Sequence, residues 1–221
     1  MELYDAMRTT AAIREFTGEP LSDETLHRIL ENARFAPSGG NRQGAHVIAV
    51  RDPERRARLA ELCTPGVQRY VAQGRVGETG WNSITPPTPT PEEIAATRVP
   101  ESFTRPVLTA SVVLVFCVDL NRVASMDLEL DRVGLASGAS IYPLVWNTLL
   151  AARQEGFGGV LTTMAVAAEP EVQALFSIPA DHAVAAVVPL GRPVHQPTKL
   201  RRRAVEEFVT WESYDGAPLT D

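Results

Sequence analysis

Cysteine is scarce: 221 residues contain two, Cys63 and Cys117, 54 positions apart. That number excludes a disulfide framework, and neither residue sits in a metal-type spacing. Cys117 lies inside an apolar run from Ser111 to Val118, where a thiol reads as a small buried hydrophobe. Long apolar stretches are also lacking, and none approaches the roughly 20 residues that a membrane span requires. The opening MELYDAMRTT has no cationic segment followed by an apolar one, so it does not read as a secretory signal, and a cytoplasmic location is expected. Self-sufficient catalytic sets are missing too. His27, His46, His182 and His195 are scattered, and no G-x-S-x-G elbow, Walker loop or strand-following G-x-G-x-x-G occurs. Reactions in which a cofactor does the chemistry therefore gain weight, with no protein nucleophile and no metal expected.

What is present reads as a globular α/β chain, 44% apolar and 22% charged. A net charge of −6 argues against nucleic acid as a partner. The charge is uneven, because Lys199, Arg201, Arg202 and Arg203 put four cations within five residues.

Helical spacing of Leu26, Ile29, Leu30 and Ala33 behind a Ser22 cap predicts a helix over 22–35. It stops at Pro37-Ser38-Gly39-Gly40. A strand is expected at 45–50, a helix at 54–62, a central strand at 111–118, a long helix at 138–155 and a strand at 159–164. A short helix from Pro170 to Phe176 and a strand at 183–188 complete the pattern. Residues 74–106 carry three glycines and six prolines with little periodicity, which suggests a lid, and Trp81 and Phe103 favour that over a disordered linker. Residues 192–221 form a polar, basic arm. The whole reads as one α+β domain over 1–221, a sheet packed by helices.

Three segments could hold a planar, anionic cofactor: Arg8 to Phe16, Ala36 to Gln43, and Gly156 to Thr163, joined by the basic run 199–203. Each has an ordinary reading as well. Ser38-Gly39-Gly40 alone is a common turn, Arg14 alone a surface cation beside Glu15 or Glu19, and the basic run alone a solvated tail. Tyr142 and Trp146 read as core or dimer packing.

Taken in order, the segments resemble the nitroreductase family of FMN enzymes. The resemblance rests on Leu26 to Gln43, matching L-x-x-I-L-E-A-A-R-x-A-P-S-x-x-N-x-Q at every specified position but Asn32, on the helix Pro143 to Ala152, on the Gly-rich turn before Val160, and on the basic C-terminal run. It implies an α+β fold with a mainly antiparallel central sheet, in an intertwined homodimer with a C-terminal extension and FMN at the interface. By motif, Arg14 falls near the flavin pyrimidine edge. Ser38, Gly39, Asn41 and Gln43 fall in a flavin-holding loop supplied across the interface. Leu161, Thr162 and Thr163 fall on the backbone near N5 and O4, and Arg202 falls near the phosphate. The implied reaction is ping-pong transfer of hydride from NADH or NADPH to a nitroaromatic, quinone or similar small aromatic acceptor, with Tyr70, Trp81 and Phe103 shaping the acceptor side.

Two departures stand out. The family's R-R-S is Thr10-Ala11-Ala12 here, which shifts the grip on the phosphate toward Arg8 and the C-terminal arginines, and its Pro-Trp after the glutamine is Gly44-Ala45. Alternatives are dehalogenation, flavin fragmentation or ene reduction on the same scaffold, or flavin binding without turnover.

Overall fold

The computed structural model describes residues 1–220. Four strands form one antiparallel sheet in the order β1-β2-β4-β3: β1 (Ala45–Val50), β2 (Val112–Asp119), β3 (Gly158–Gly159) and β4 (His182–Gly191). Every β2 residue from Val112 to Val118 is buried, because helices cover both faces of the sheet. Val113, Val115 and Cys117 face one layer, and Val112, Leu114, Phe116 and Val118 face the other, following the two-residue period of a strand. The first layer contains α3 (Pro53–Leu62), α4 (Thr64–Arg75), α6 (Glu101–Thr109) and α8 (Glu169–Phe176). The second contains α2 (Asp23–Ala33) and α7 (Tyr142–Gln154), with α1 (Leu3–Thr9) beside α7. Short α5 (Pro91–Ala95) leans on α4. Among the described residues no helix is long and apolar enough to cross a membrane.

Local chemistry explains where the helices begin. The Ser22 hydroxyl accepts the Thr25 N–H at 3.1 Å, and Asp23 and Glu24 follow at the positive end of α2. Asp52 caps α3 in the same way, accepting from Arg55 N at 2.8 Å. Thr90 and Glu93 form a reciprocal capping box on α5. In β4, Phe116 faces Ala186 but Cys117 faces Val184, so Ala185 is the extra residue of a bulge, and the Tyr142 hydroxyl donates to its carbonyl at 3.2 Å. Burial pushes the Cys117 thiol up to about 11 and Cys63 up to about 12, so both are inert.

Three expectations need correcting, and one helix was not expected. The long helix begins at Tyr142, after a 3₁₀ turn at Ala136–Ser140. The strand expected over 159–164 is only Gly158–Gly159, with one further bridge from Thr162 to Val187. Helix α4 had no periodic signal, since Pro65, Gly66 and Gly74 interrupt it. The 74–106 segment is not uniformly irregular, because it contains α5 and most of α6. The arm beyond residue 192 is largely exposed, with a 3₁₀ turn at Val205–Glu207 and a Thr210–Pro218 bridge; Asp221 lies outside the described residues.

Arg56 ties α3 to the end of α6. It is buried, and its guanidinium donates to the carbonyls of Val107 (2.9 Å), Leu108 (2.5 Å) and Ala110 (2.6 Å). These include carbonyls that a helix end leaves without intrahelical donors. Burial lowers the Arg56 pKa, yet the three bonds keep the cation in place. Arg56→Ala is expected to cost about 2–3 kcal/mol, read as a lower urea midpoint at unchanged slope, with Arg56→Lys recovering part of it.

Candidate functional site

The site begins where the sheet runs out. After α1, Ala12 bridges in parallel to Gly159, and the Ile13 N–H donates to the Gly159 carbonyl at 2.9 Å. This approach needs glycine: a Cβ on Gly158 would lie 2.7 Å from Ile13 Cγ1, and one on Gly159 would lie 2.3 Å from the Pro189 carbonyl oxygen. Arg14 consequently emerges next to the chain leaving β3.

Beyond Gly159 only Thr162 rejoins β4, donating to the Val187 carbonyl at 2.9 Å and accepting its N–H at 2.8 Å. In such a pair the flanking residues turn their own N–H groups away. Among the described residues, no acceptor takes the N–H of Leu161 or Thr163. Arg14, Tyr70, Phe103, Leu161, Thr162 and Thr163 line one cleft of about 160 Å³.

The opposite wall is aromatic. Tyr70 on α4 meets Phe103 on α6 edge-on, with centroids 5.8 Å apart. Past Thr163 and Met164 a second hollow of about 340 Å³ opens, sharing Tyr70 with the first and bounded by Gly66, Gly80 and Trp81. Trp81 is anchored by its main-chain N–H to Gln73 Oε1 (2.8 Å), by its indole N–H to the Gly66 carbonyl (2.8 Å), and by the Arg69 guanidinium 4.1 Å from its ring centroid. Gln73 is fully buried, and its amide donates to Glu78 Oε2 at 3.0 Å. The other Glu78 oxygen accepts the Thr88 N–H at 2.9 Å.

The structure brings six of the thirteen sequence-derived site residues into the first cleft and adds Trp81 in the adjoining hollow. Ser38, Gly39, Asn41 and Gln43 lie elsewhere. Their loop precedes β1, whose first residue pairs with Val118, whereas Pro189 at the cleft pairs with Val113. Within one chain the loop is thus on the far edge of the sheet and on the order of 17 Å away along the strands. It is well formed there: the Ser38 hydroxyl accepts the Gln43 N–H at 3.0 Å, the Gly39 N–H donates to Ser140 Oγ at 3.1 Å, and Asn41 and Gln43 adopt positive φ.

Arg8 and Arg202 are exposed and do not line the cleft. Gln196 Nε2 donates to the Thr9 carbonyl at 2.8 Å, so the basic arm leaves from beside Arg8. Thr10 is buried with its hydroxyl donated to the Ala6 carbonyl at 2.7 Å, and it has nothing to offer an anion.

Sequence reasoning missed Gly66, Arg69 and Gln73. With Tyr70 they follow an i, i+3, i+4, i+7 spacing on one face of α4, a signal that tests of apolar periodicity pass over.

The Glu78 carboxylate is held below its usual value of 4.5, chiefly by hydrogen bonds from Thr88 and Gln73. A depressed acid contributes stability that is complete above its unfolded pKa and is lost as pH falls through the lower folded value. Protection of the Thr88 and Trp81 amides, taken as the ratio of intrinsic to observed exchange rate at each pH, is therefore expected to fall below about pH 4.5, and Glu78→Gln should abolish most of that pH dependence.

Comparison with known proteins identifies the family of the chain and its fold. A model of the nitroreductase family matches residues 7–192. A NADPH-flavin oxidoreductase of Vibrio harveyi is 26% identical over 95% of this chain and 73% of its own length. Among solved structures, the NADPH:FMN oxidoreductase of Vibrio harveyi complexed with NAD+ superposes with a TM-score of 0.67 at 22% identity, over 96% of this chain and 77% of that one. Iodotyrosine deiodinase bound to FMN and 3-iodo-L-tyrosine gives 0.69 at 19% identity, over 96% of this chain and 100% of that one. With the family model spanning most of its length and the sheet, helices and cleft arranged as described, the chain belongs to the nitroreductase family.

Proposed function

We propose that the chain binds FMN in the Arg14 cleft, takes hydride from NADH or NADPH, and reduces a nitroaromatic, quinone or similar electron-poor acceptor. The observation that carries this reading is the donor set at the edge of the sheet. Arg14 lines a cleft walled by aromatic rings together with Leu161 and Thr163, whose N–H groups have no acceptor among the described residues. That set fits a flat ring system that gathers negative charge at one edge and needs hydrogen-bond donors along another. The family model and the flavin oxidoreductase among the relatives support the same chemistry.

A bound flavin would supply the hydride-transfer chemistry that the side chains lack. Arg14 stabilises negative charge at the pyrimidine edge of the ring. The Leu161 and Thr163 N–H groups orient the ring without changing protonation state. Tyr70 and Phe103 exclude water from the face on which reductant and acceptor take turns. Because one cleft serves both, the reductant leaves before the acceptor enters. The balance is NAD(P)H plus a proton plus a quinone giving NAD(P)+ plus a hydroquinone.

The reading also requires two chains. Ser38, Gly39, Asn41 and Gln43 meet the cleft only if a second copy presents them, and Tyr142, Trp146, Leu3, Tyr4 and Met7 leave apolar surface exposed on α7 and α1 for such a contact. Arg8 and Arg202 would then serve the phosphate from the neighbouring ends of the chain.

Purified protein should be yellow or become so with FMN, bleach with NADH or NADPH, and regain colour on adding a nitroaromatic or a quinone. Protein that gains no flavin spectrum would overturn the reading, and bleaching without recovery would favour a flavin-sequestering role. Arg14→Met should slow bleaching on the order of tenfold and make the flavin potential more negative. Light scattering should give twice the chain mass.

A further inference from the structure

Trp81 has a left-handed backbone, φ 56°, a conformation that a bulky residue adopts only when its surroundings impose it. The surroundings here are one face of α4. Gly66, Arg69 and Gln73 all touch Trp81, and Tyr70 stands between them, at i, i+3, i+4 and i+7. Gln73 is the hub. Its Oε1 accepts both the Trp81 N–H (2.8 Å) and Arg69 Nε (3.3 Å), while its Nε2 holds Glu78. Gly80 completes the fit, because a Cβ there would fall 2.5 Å from the Tyr70 ring. The indole is thus a fixed wall, still 43% exposed, and not part of a loose flap.

That wall bounds the hollow of about 340 Å³ that continues from the Arg14 cleft past Thr163 and Met164. The volume reaches the lower end of the range for drug-sized ligands, about 300–1,000 Å³, and is more than a single ring requires. Among the described residues no carboxylate lines either hollow, and Arg14 and Arg69 stand beside them. The surroundings favour neutral or anionic planar molecules over cationic ones.

We propose that this hollow is a subsite for the distal rings of planar acceptors with two or more fused rings, neutral or anionic. Trp81 is its specificity-determining residue, and Gln73 is a positioning residue that acts through Trp81. The proposal rests on the flavin oxidoreductase reading and adds to it which acceptors are preferred.

The test compares anthraquinone-2-sulfonate, tricyclic and anionic, with 1,4-benzoquinone, a single ring, on FMN-loaded protein at saturating NAD(P)H. In Trp81→Leu and in Gln73→Met, the ratio of kcat/KM for the tricyclic over the monocyclic acceptor should fall about tenfold, with the loss in KM. Trp211→Phe, on the C-terminal arm, should keep the ratio of the unmodified protein. In parallel, calorimetry on flavin-free protein should show anthraquinone-2-sulfonate binding that weakens about tenfold in both variants. Ratios within twofold of the unmodified protein, or an equal loss for both acceptors, would overturn the proposal while leaving the flavin reading intact. If the protein takes up no FMN, the flavin reading falls, and calorimetry alone decides whether the subsite exists.

Discussion

Burial of β2 on both faces is the constraint from which the rest of the architecture follows. A strand with Val112 to Val118 all inside must have helices above and below it, and its alternating side chains are divided between two separate cores. β4 repeats the pattern with the Ala185 bulge, which changes the face of the following residues without opening the sheet. Two central strands so occupied leave little for the edges. β3 has two residues, both glycine, and the chain that follows it returns to the sheet only at Thr162. The site lies there because backbone donors that a longer strand would have used remain unpaired.

The two walls of the cleft are made by different means. On the sheet side, close backbone approach through Gly158 and Gly159 sets the position of Arg14 relative to Leu161 and Thr163. On the helical side, side chains do the work: the buried amide of Gln73 organises Trp81, Arg69 and Glu78, and Glu78 fastens the segment that ends at Thr88. A segment rich in glycine and proline is thereby held as a wall.

Much of the fold was legible because local and tertiary preferences agree. α2 announces itself through Ser22, its acidic first turn and its apolar face, and β2 through an unbroken apolar run. α4 was not legible, since the face it turns to Trp81 is polar and aromatic, and Pro65, Gly66 and Gly74 interrupt its apolar pattern. α5 left a readable trace in Thr90, Pro91 and Glu93, but the surrounding prolines outweighed it. Leu161 to Thr163 could be read as extended chain, yet the sequence carries no sign that only Thr162 would pair. For the Ser38 to Gln43 loop the motif was visible while its location was not, because its distance from Arg14 depends on strand order.

The charge distribution bears on how an anionic cofactor would be held. In a chain of net charge −6, carboxylates outnumber cations, and Arg28, Arg34, Arg51, Arg58, Arg122, Arg132 and Arg192 all find one. Among the described residues fourteen cations have no such ion pair; eight are arginines scattered over the body of the chain, and the other six are Arg8, Arg14, Lys199, Arg201, Arg202 and Arg203, near its two ends. Gln196 joins the arm to Thr9, so the arm that carries Lys199 to Arg203 leaves from beside the segment that carries Arg8 and Arg14. Exposed cations without partners lose little by waiting in water and gain most when a doubly charged phosphate arrives. With Thr10 buried and bonded to Ala6, a phosphate held in the proposed way would be met by the cations where both termini converge and not by the N-terminal triplet.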